Sequence, residues 1–196
     1  MEKIKLPTLI DFVFPKFENK VLNLIKEIIL IFSFSILTGV CSKLKIEIGL
    51  IPITMQTFAV LLSGSLLGAK KGFLSQLIYL LMGLAGIPWF SRGGGISYIF
   101  SPTFGYIVGF LFCSFLIGFL SEKGFDREIL TCVLAMFLGN VILYVPGLLW
   151  LARFVGFDKV LKVGFFPFVI GDLIKIFLAG VTLPFFWKVL KVKNRN

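Results

Sequence analysis

Apolar residues run through this chain in long blocks, and the polar residues between them mark where helices end. A membrane-spanning helix needs roughly 20 largely apolar residues. Six blocks approach that length, at about 22–40, 53–68, 72–87, 103–120, 129–151 and 165–189. The second and third are short and are separated only by Ala69-Lys70-Lys71. Two lysines there predict a turn at an aqueous face, so the blocks count as separate spans. Residues 1–21 read as a polar, interfacial lead-in, 22–190 as a six-helix transmembrane domain and 191–196 as a basic tail. The predicted fold class is an all-α integral membrane protein, a six-transmembrane-helix bundle.

Composition agrees with that pattern. The chain is 58% hydrophobic and 15% charged, against roughly 45–50% and 25% for soluble domains, which leaves little for a soluble part. The net charge is +10, with no histidine. Its basic residues lie between apolar blocks rather than in one stripe, so a nucleic-acid partner is not predicted. They set topology instead. With the amino terminus inside, Lys3, Lys5, Lys16, Lys20, Lys26, Lys70, Lys71, Lys123, Arg127, Lys188, Lys191, Lys193 and Arg195 lie on the inner side. Lys43, Lys45, Arg92, Arg153, Lys159 and Lys162 lie outside. That roughly two-to-one bias predicts a multi-pass protein of the cell membrane with both termini in the cytoplasm.

Several chemistries are excluded early. Cys41, Cys113 and Cys132 are scattered over three blocks without metal-ligand spacing and read as packing residues. Without histidine there is no Ser–His pair and no histidine zinc site. The stretch Gly64–Lys71 breaks the spacing of a phosphate loop, so no nucleotide site, metal or cofactor is predicted, and no enzyme activity.

The sharpest candidate is Gly171-Asp172-Leu173-Ile174-Lys175, inside the last apolar block. Residues i and i+3 share one helix face, so Asp172 and Lys175 point together. Ionisable residues at membrane depth face a bundle interior or a cavity, and mark substrate sites. On the outer side, Pro88–Ser101 is too rich in glycine for a helix and too aromatic for a solvated loop. Irregular backbone at membrane depth must be buried or line a cavity. The segment is read as an irregular extracellular lid that brings Trp89, Arg92, Gly93, Gly94 and Tyr98 to the site. Gln56 near the outer end of the second span, and Tyr144 and Trp150 flanking a helix break at Pro146, complete the candidate wall. Ser35 and Gly39 carry the small-residue spacing that allows close helix approach and are the expected docking face for a membrane partner.

Five stretches combine into a wider pattern. They are Ile51-Pro52-Ile53-Thr54-Met55-Gln56-Thr57, Leu66-Leu67-Gly68, Ser101-Pro102-Thr103-Phe104-Gly105-Tyr106, Gly147-x-x-Trp150-Leu151 and Gly171-Asp172-x-x-Lys175. Over about residues 30–185 the chain resembles the BioY family, the biotin-specific S components of energy-coupling factor (ECF) transporters. The resemblance implies six transmembrane helices and an outward-facing biotin pocket. It also implies a partnership with a membrane coupling protein and two ATP-binding subunits in the lipid bilayer. It assigns biotin contacts to Asp172 and Lys175, with Gly93–Gly95 and Pro52–Gln56 covering the pocket, and makes biotin the transported ligand rather than a cofactor. The ureido ring of biotin offers N–H donors and a carbonyl, its thiophane ring and chain suit apolar walls, and its carboxylate needs a cation such as Lys175 or Arg92. Two alternatives stay open from the residues alone: an S component for another vitamin, and an intramembrane enzyme using Asp172 and Lys175.

Overall fold

The computed structural model describes residues 6–47 and 49–193, with side chains as far as Leu190. The first five residues of the lead-in and residues 194–196 of the expected basic tail lie outside the described residues. In chain order the helices are α1 (Leu9–Val13), α2 (Lys20–Lys43), α3 (Gln56–Leu67), α4 (Ala69–Leu84), α5 (Phe104–Ser121), α6 (Ile129–Val155), α7 (Val160–Gly164) and α8 (Phe166–Lys193). The fold is not purely helical. Strands β1 (Lys45–Ile46) and β2 (Ile53–Thr54) pair antiparallel between α2 and α3, and short 3-10 turns cover Ile96–Phe100 and Phe125–Arg127.

Among the described residues, α2, α5, α6 and the Val160–Leu190 stretch are long and apolar enough to cross a membrane. α3 and α4 have 12 and 16 residues. At 1.5 Å rise per residue α3 covers only about 18 Å. The block expected to start its helix at residue 53 instead spends Ile53 and Thr54 on β2. The turn between α3 and α4 falls at Gly68, whose φ of +81° favours glycine. The N–H of Ala69, which opens α4, donates to Glu122 at 2.9 Å.

α5 is the central post, packing against α3, α4 and α6. It is smooth where its neighbours approach. A Cβ added at Gly109 would press on the backbone of Leu143 in α6, and one at Gly118 on the backbone of Gly68 and Ala69. In return Gly64 of α3 lies against the backbone of Ser114. Small residues let helix backbones come this close. Pro146 does not break its helix as the sequence suggested. α6 runs unbroken from Ile129 to Val155, held where Gly105 meets the Pro146 carbonyl and Gly147 meets the ring of Tyr106. Cys41, Cys113 and Cys132 are buried and free.

The lead-in folds back on the bundle. Leu9 and Ile10 of α1 are buried, Phe12 meets Trp187 of α8 edge-on at 5.5 Å, and Lys71 pairs with Asp11 at 2.8 Å. Burial pushes the Asp11 carboxyl up, but the hydrogen bond and charge of Lys71 outweigh it, so the group sits below its ordinary range.

Gly118→Val should lower stability by about 1–3 kcal/mol, because the new side chain meets backbone and neither helix can yield without moving. Thermal unfolding in detergent reads this; an unchanged midpoint would mean that α5 and the α3–α4 turn are not in contact.

Candidate functional site

A cavity of about 530 Å³, its mouth included, lies between α3, α5, α6 and α8. At its wall Asp172 and Lys175 stand one helical turn apart on α8, both nine-tenths buried or more, with Nζ 3.0 Å from Oδ1. The lysine spends its other donors on the Thr54 carbonyl at 2.8 Å and the Thr57 hydroxyl at 2.7 Å. Thr57 passes its own hydrogen to Asp172 Oδ1 at 3.3 Å, and Tyr144 donates to Oδ2. An ammonium has three donors, so Lys175 is saturated, and any anionic ligand group must displace one of these partners. A carboxylate has about four acceptor positions. Three donors reach Asp172, which leaves room for an N–H of a ligand.

The remaining wall is aromatic with hydroxyl tips. Tyr106 meets Tyr144 edge-on at 6.0 Å and donates to the Gly164 carbonyl at 2.8 Å. Tyr98 takes a hydrogen bond from Thr103 at 3.0 Å and shares one with Ser91 at 3.1 Å. The amide nitrogen of Gln56 donates to Tyr79 at 2.7 Å, while its carbonyl accepts from Thr54 at 3.0 Å. Gln56 is thereby held in one orientation.

Of the residues singled out from sequence, Asp172, Lys175, Gln56, Tyr98 and Tyr144 line this cavity. Five others do not. Trp89 sits behind the wall, its indole donating to the Tyr79 carbonyl and its ring stacked near Tyr79. Gly93 pairs with Phe90 to close the Ser91–Arg92 turn, and Gly94 lies against the backbone of Ile87, where a Cβ would not fit. Arg92 is turned away to Glu47 and the carbonyls of Gly49 and Leu50. Trp150 donates to the Ser101 carbonyl and packs on Phe104. Thr54 falls within the Pro52–Gln56 stretch expected over the pocket, but Thr57, Ser91, Thr103, Tyr106 and Phe168 were not singled out as site residues. Thr103, Tyr106, Ile107 and Phe110 follow the i, i+3, i+4, i+7 spacing of one helix face, a signal that could have found two of them.

Ser35 and Gly39 are also corrected. Ser35 is fully buried and donates to the Ser75 carbonyl at 2.6 Å. A Cβ on Gly39 would lie 3.0 Å from the ring of Trp89. The pair serves packing within the chain, while Phe32, Ile36 and Val40 occupy the exposed side of α2.

A family model described as the BioY family matches residues 15–192. The chain belongs to the BioY family. One relative of this BioY chain, the "Probable biotin transporter BioY" of Pyrococcus horikoshii, is 41% identical over 157 residues, covering 80% of this chain and 93% of that one. The "Biotin transporter BioY" of Thermotoga maritima is 38% identical over 151 residues, covering 76% and 88%. The fold matches the crystal structure of the S-component for biotin from an ECF-type ABC transporter with a TM-score of 0.77. That match has 25% identity and covers 87% of this chain and 95% of the other.

Two outcomes follow for this BioY-family site. Asp172→Asn and Lys175→Met should each destabilise the ligand-free protein by about 3–5 kcal/mol, since each leaves a buried charge uncompensated. The double variant should recover part of the loss, and thermal melts of all four proteins check the cycle. Gly39→Leu should displace Trp89 at a cost of about 1–3 kcal/mol and loosen the segment 88–101. Trypsin cleavage after Arg92 should then be several-fold faster than in the parent.

Proposed function

We propose that this chain is the biotin-binding S component of an ECF-type transporter and mediates biotin uptake. The observation that carries the reading is the buried Asp172–Lys175 pair, set in a cavity with aromatic walls in a chain of the BioY family. Asp172 and Tyr144 suit the N–H groups and carbonyl of a ureido ring. Tyr106, Phe110 and Phe168 suit a thiophane ring and aliphatic chain, and Lys175 suits an acceptor oxygen once it exchanges one of its present partners. The relatives are named as transporters, which favours transport over an intramembrane enzyme using the same pair.

In this reading α2, α3, α4, α5, α6 and α8 are six spans, with β1–β2 and the 88–101 segment completing the outer side where α3 and α4 stop short. The basic residues put both termini in the cytoplasm and the cavity mouth outside. The 88–101 segment covers that mouth as an extracellular lid, ordered by the Phe90–Gly93 bridge and by the hydrogen bond from the Gly95 N–H to the Gly83 carbonyl at 2.7 Å. Active uptake draws on a membrane coupling protein and two ATP-binding subunits, since the chain carries no phosphate-loop sequence of its own.

Titration calorimetry of the purified chain with biotin, riboflavin and thiamine tests the assignment. Saturable heat with biotin alone is expected. Saturation by another vitamin and silence with biotin would move the chain to a different substrate.

A further inference from the structure

Three cations tie together the two segments that border the cavity mouth, and they do so reciprocally. From the end of α2 and from β1, Lys43 donates to the Phe90 carbonyl at 2.8 Å and Lys45 to the Ser91 carbonyl at 2.7 Å. From the other side, Arg92 donates to the carbonyls of Leu50 at 2.9 Å and Gly49 at 3.1 Å. Glu47 joins the two halves, 2.6 Å from Lys45 and 2.8 Å from Arg92. Hydrogen bonds from Lys45 and then Arg92 hold its carboxyl below the usual carboxylate range, so it is charged at neutral pH.

Neither Arg92 nor Glu47 lines the cavity, but Ser91, which precedes Arg92, and Ile51, which follows the Arg92 partner Leu50, both do. The tie therefore fixes backbone that forms the wall. Its ion pairs are exposed, with side-chain exposure of 28% for Lys45, 37% for Arg92 and 49% for Glu47. Exposed pairs are each worth at most about fivefold in an equilibrium and are screened by salt. A buried, apolar closure would hold more tightly but could not be undone by hydration. Weak, water-accessible links suit a closure that must open.

We propose that Glu47, bridging Lys45 and Arg92, is an electrostatic latch that fastens the β1–β2 hairpin to the 88–101 segment and sets how fast ligand enters and leaves. Arg92 is then a positioning residue of the mouth, not a contact for the ligand carboxylate. The proposal rests on the biotin reading only for the choice of probe.

Glu47→Gln removes both ion pairs and keeps the side-chain shape. In protein loaded with labelled biotin and chased with unlabelled biotin, the variant should release label roughly 3–10-fold faster than the parent, with no slower association and an unchanged melting midpoint. Raising salt from about 0.05 to 1 M should speed release from the parent and leave the variant flat. Equal release by the two proteins at both salt levels overturns the latch. Arg92→Met gives a second arm: the latch predicts equal acceleration for biotin and biotin amide. An effect confined to free biotin would make Arg92 a ligand contact and overturn the proposal. If the parent binds no biotin, the substrate reading fails by itself, and hydrogen exchange of ligand-free protein decides the latch. Faster exchange of amides 88–101 in Glu47→Gln supports it; equal exchange overturns it.

Discussion

A charge pair buried at membrane depth constrains everything around it. An ionised side chain in hydrocarbon costs at least roughly 2.5–3.5 kcal/mol, and Asp172 and Lys175 avoid that cost only by collecting partners from distant parts of the chain. The Thr54 carbonyl comes from β2, the Thr57 hydroxyl from α3 and the Tyr144 hydroxyl from α6. α3, α6 and α8 must therefore converge within hydrogen-bonding distance of one point. The same requirement explains why β2 interrupts the apolar block at residue 53: a free carbonyl at Thr54 is available to Lys175 because the chain there is strand and not helix.

Convergence needs helices that can approach. α5 presents Gly105 and Gly109 to α6 and Gly118 to the start of α4, while α3 and α4 present Gly64 and Gly72 to Ser114 of α5. A second set of buried polar groups keeps α2, α3, α4 and α5 in register. Gln76 reaches Thr38 and Ser63, Ser63 shares a hydrogen bond with Ser114, and Ser121 donates to Ser65. Such groups are costly to bury unless paired, so each pair specifies one packing of the bundle. The cavity is the space left where small-residue packing gives way to tyrosine, phenylalanine and threonine at one end.

The segment 88–101 shows how aromatic and basic residues divide the labour of an irregular loop. Trp89 and Phe90 anchor it: Trp89 packs on Gly39 and hydrogen-bonds Tyr79, and Phe90 is fully buried against Gly83. Arg92 faces the hairpin, and Ser91 and Tyr98 face the cavity. Four residues in a row, Trp89 to Arg92, thus point to three different neighbours. No spacing rule for helix or strand applies to such backbone, so the sequence alone does not separate Trp89 and Arg92, which turn away, from Ser91 and Tyr98, which line the cavity.

Much of this protein was legible from its residues. Long apolar blocks announced membrane helices, because the bilayer allows few other spanning structures. The Gly171-Asp172-x-x-Lys175 motif announced the site, because burying an acid and a base at i, i+3 needs a reason. The motif set also indicated the BioY family. Tertiary structure decided the rest. Ser35 and Gly39 read equally well as an outward or an inward face, and only the position of Trp89 turned them inward. Pro146 signalled a break, but the close fit of α6 on α5 at Gly105 and Tyr106 kept the helix continuous. Thr54, Thr57 and Ser91 carry no signal as single residues; they became part of the site when folding brought α8 to them. A sequence records which side chains must be buried or solvated through local period and chemistry. Which distant groups meet depends on packing across the whole bundle, and no local pattern encodes that.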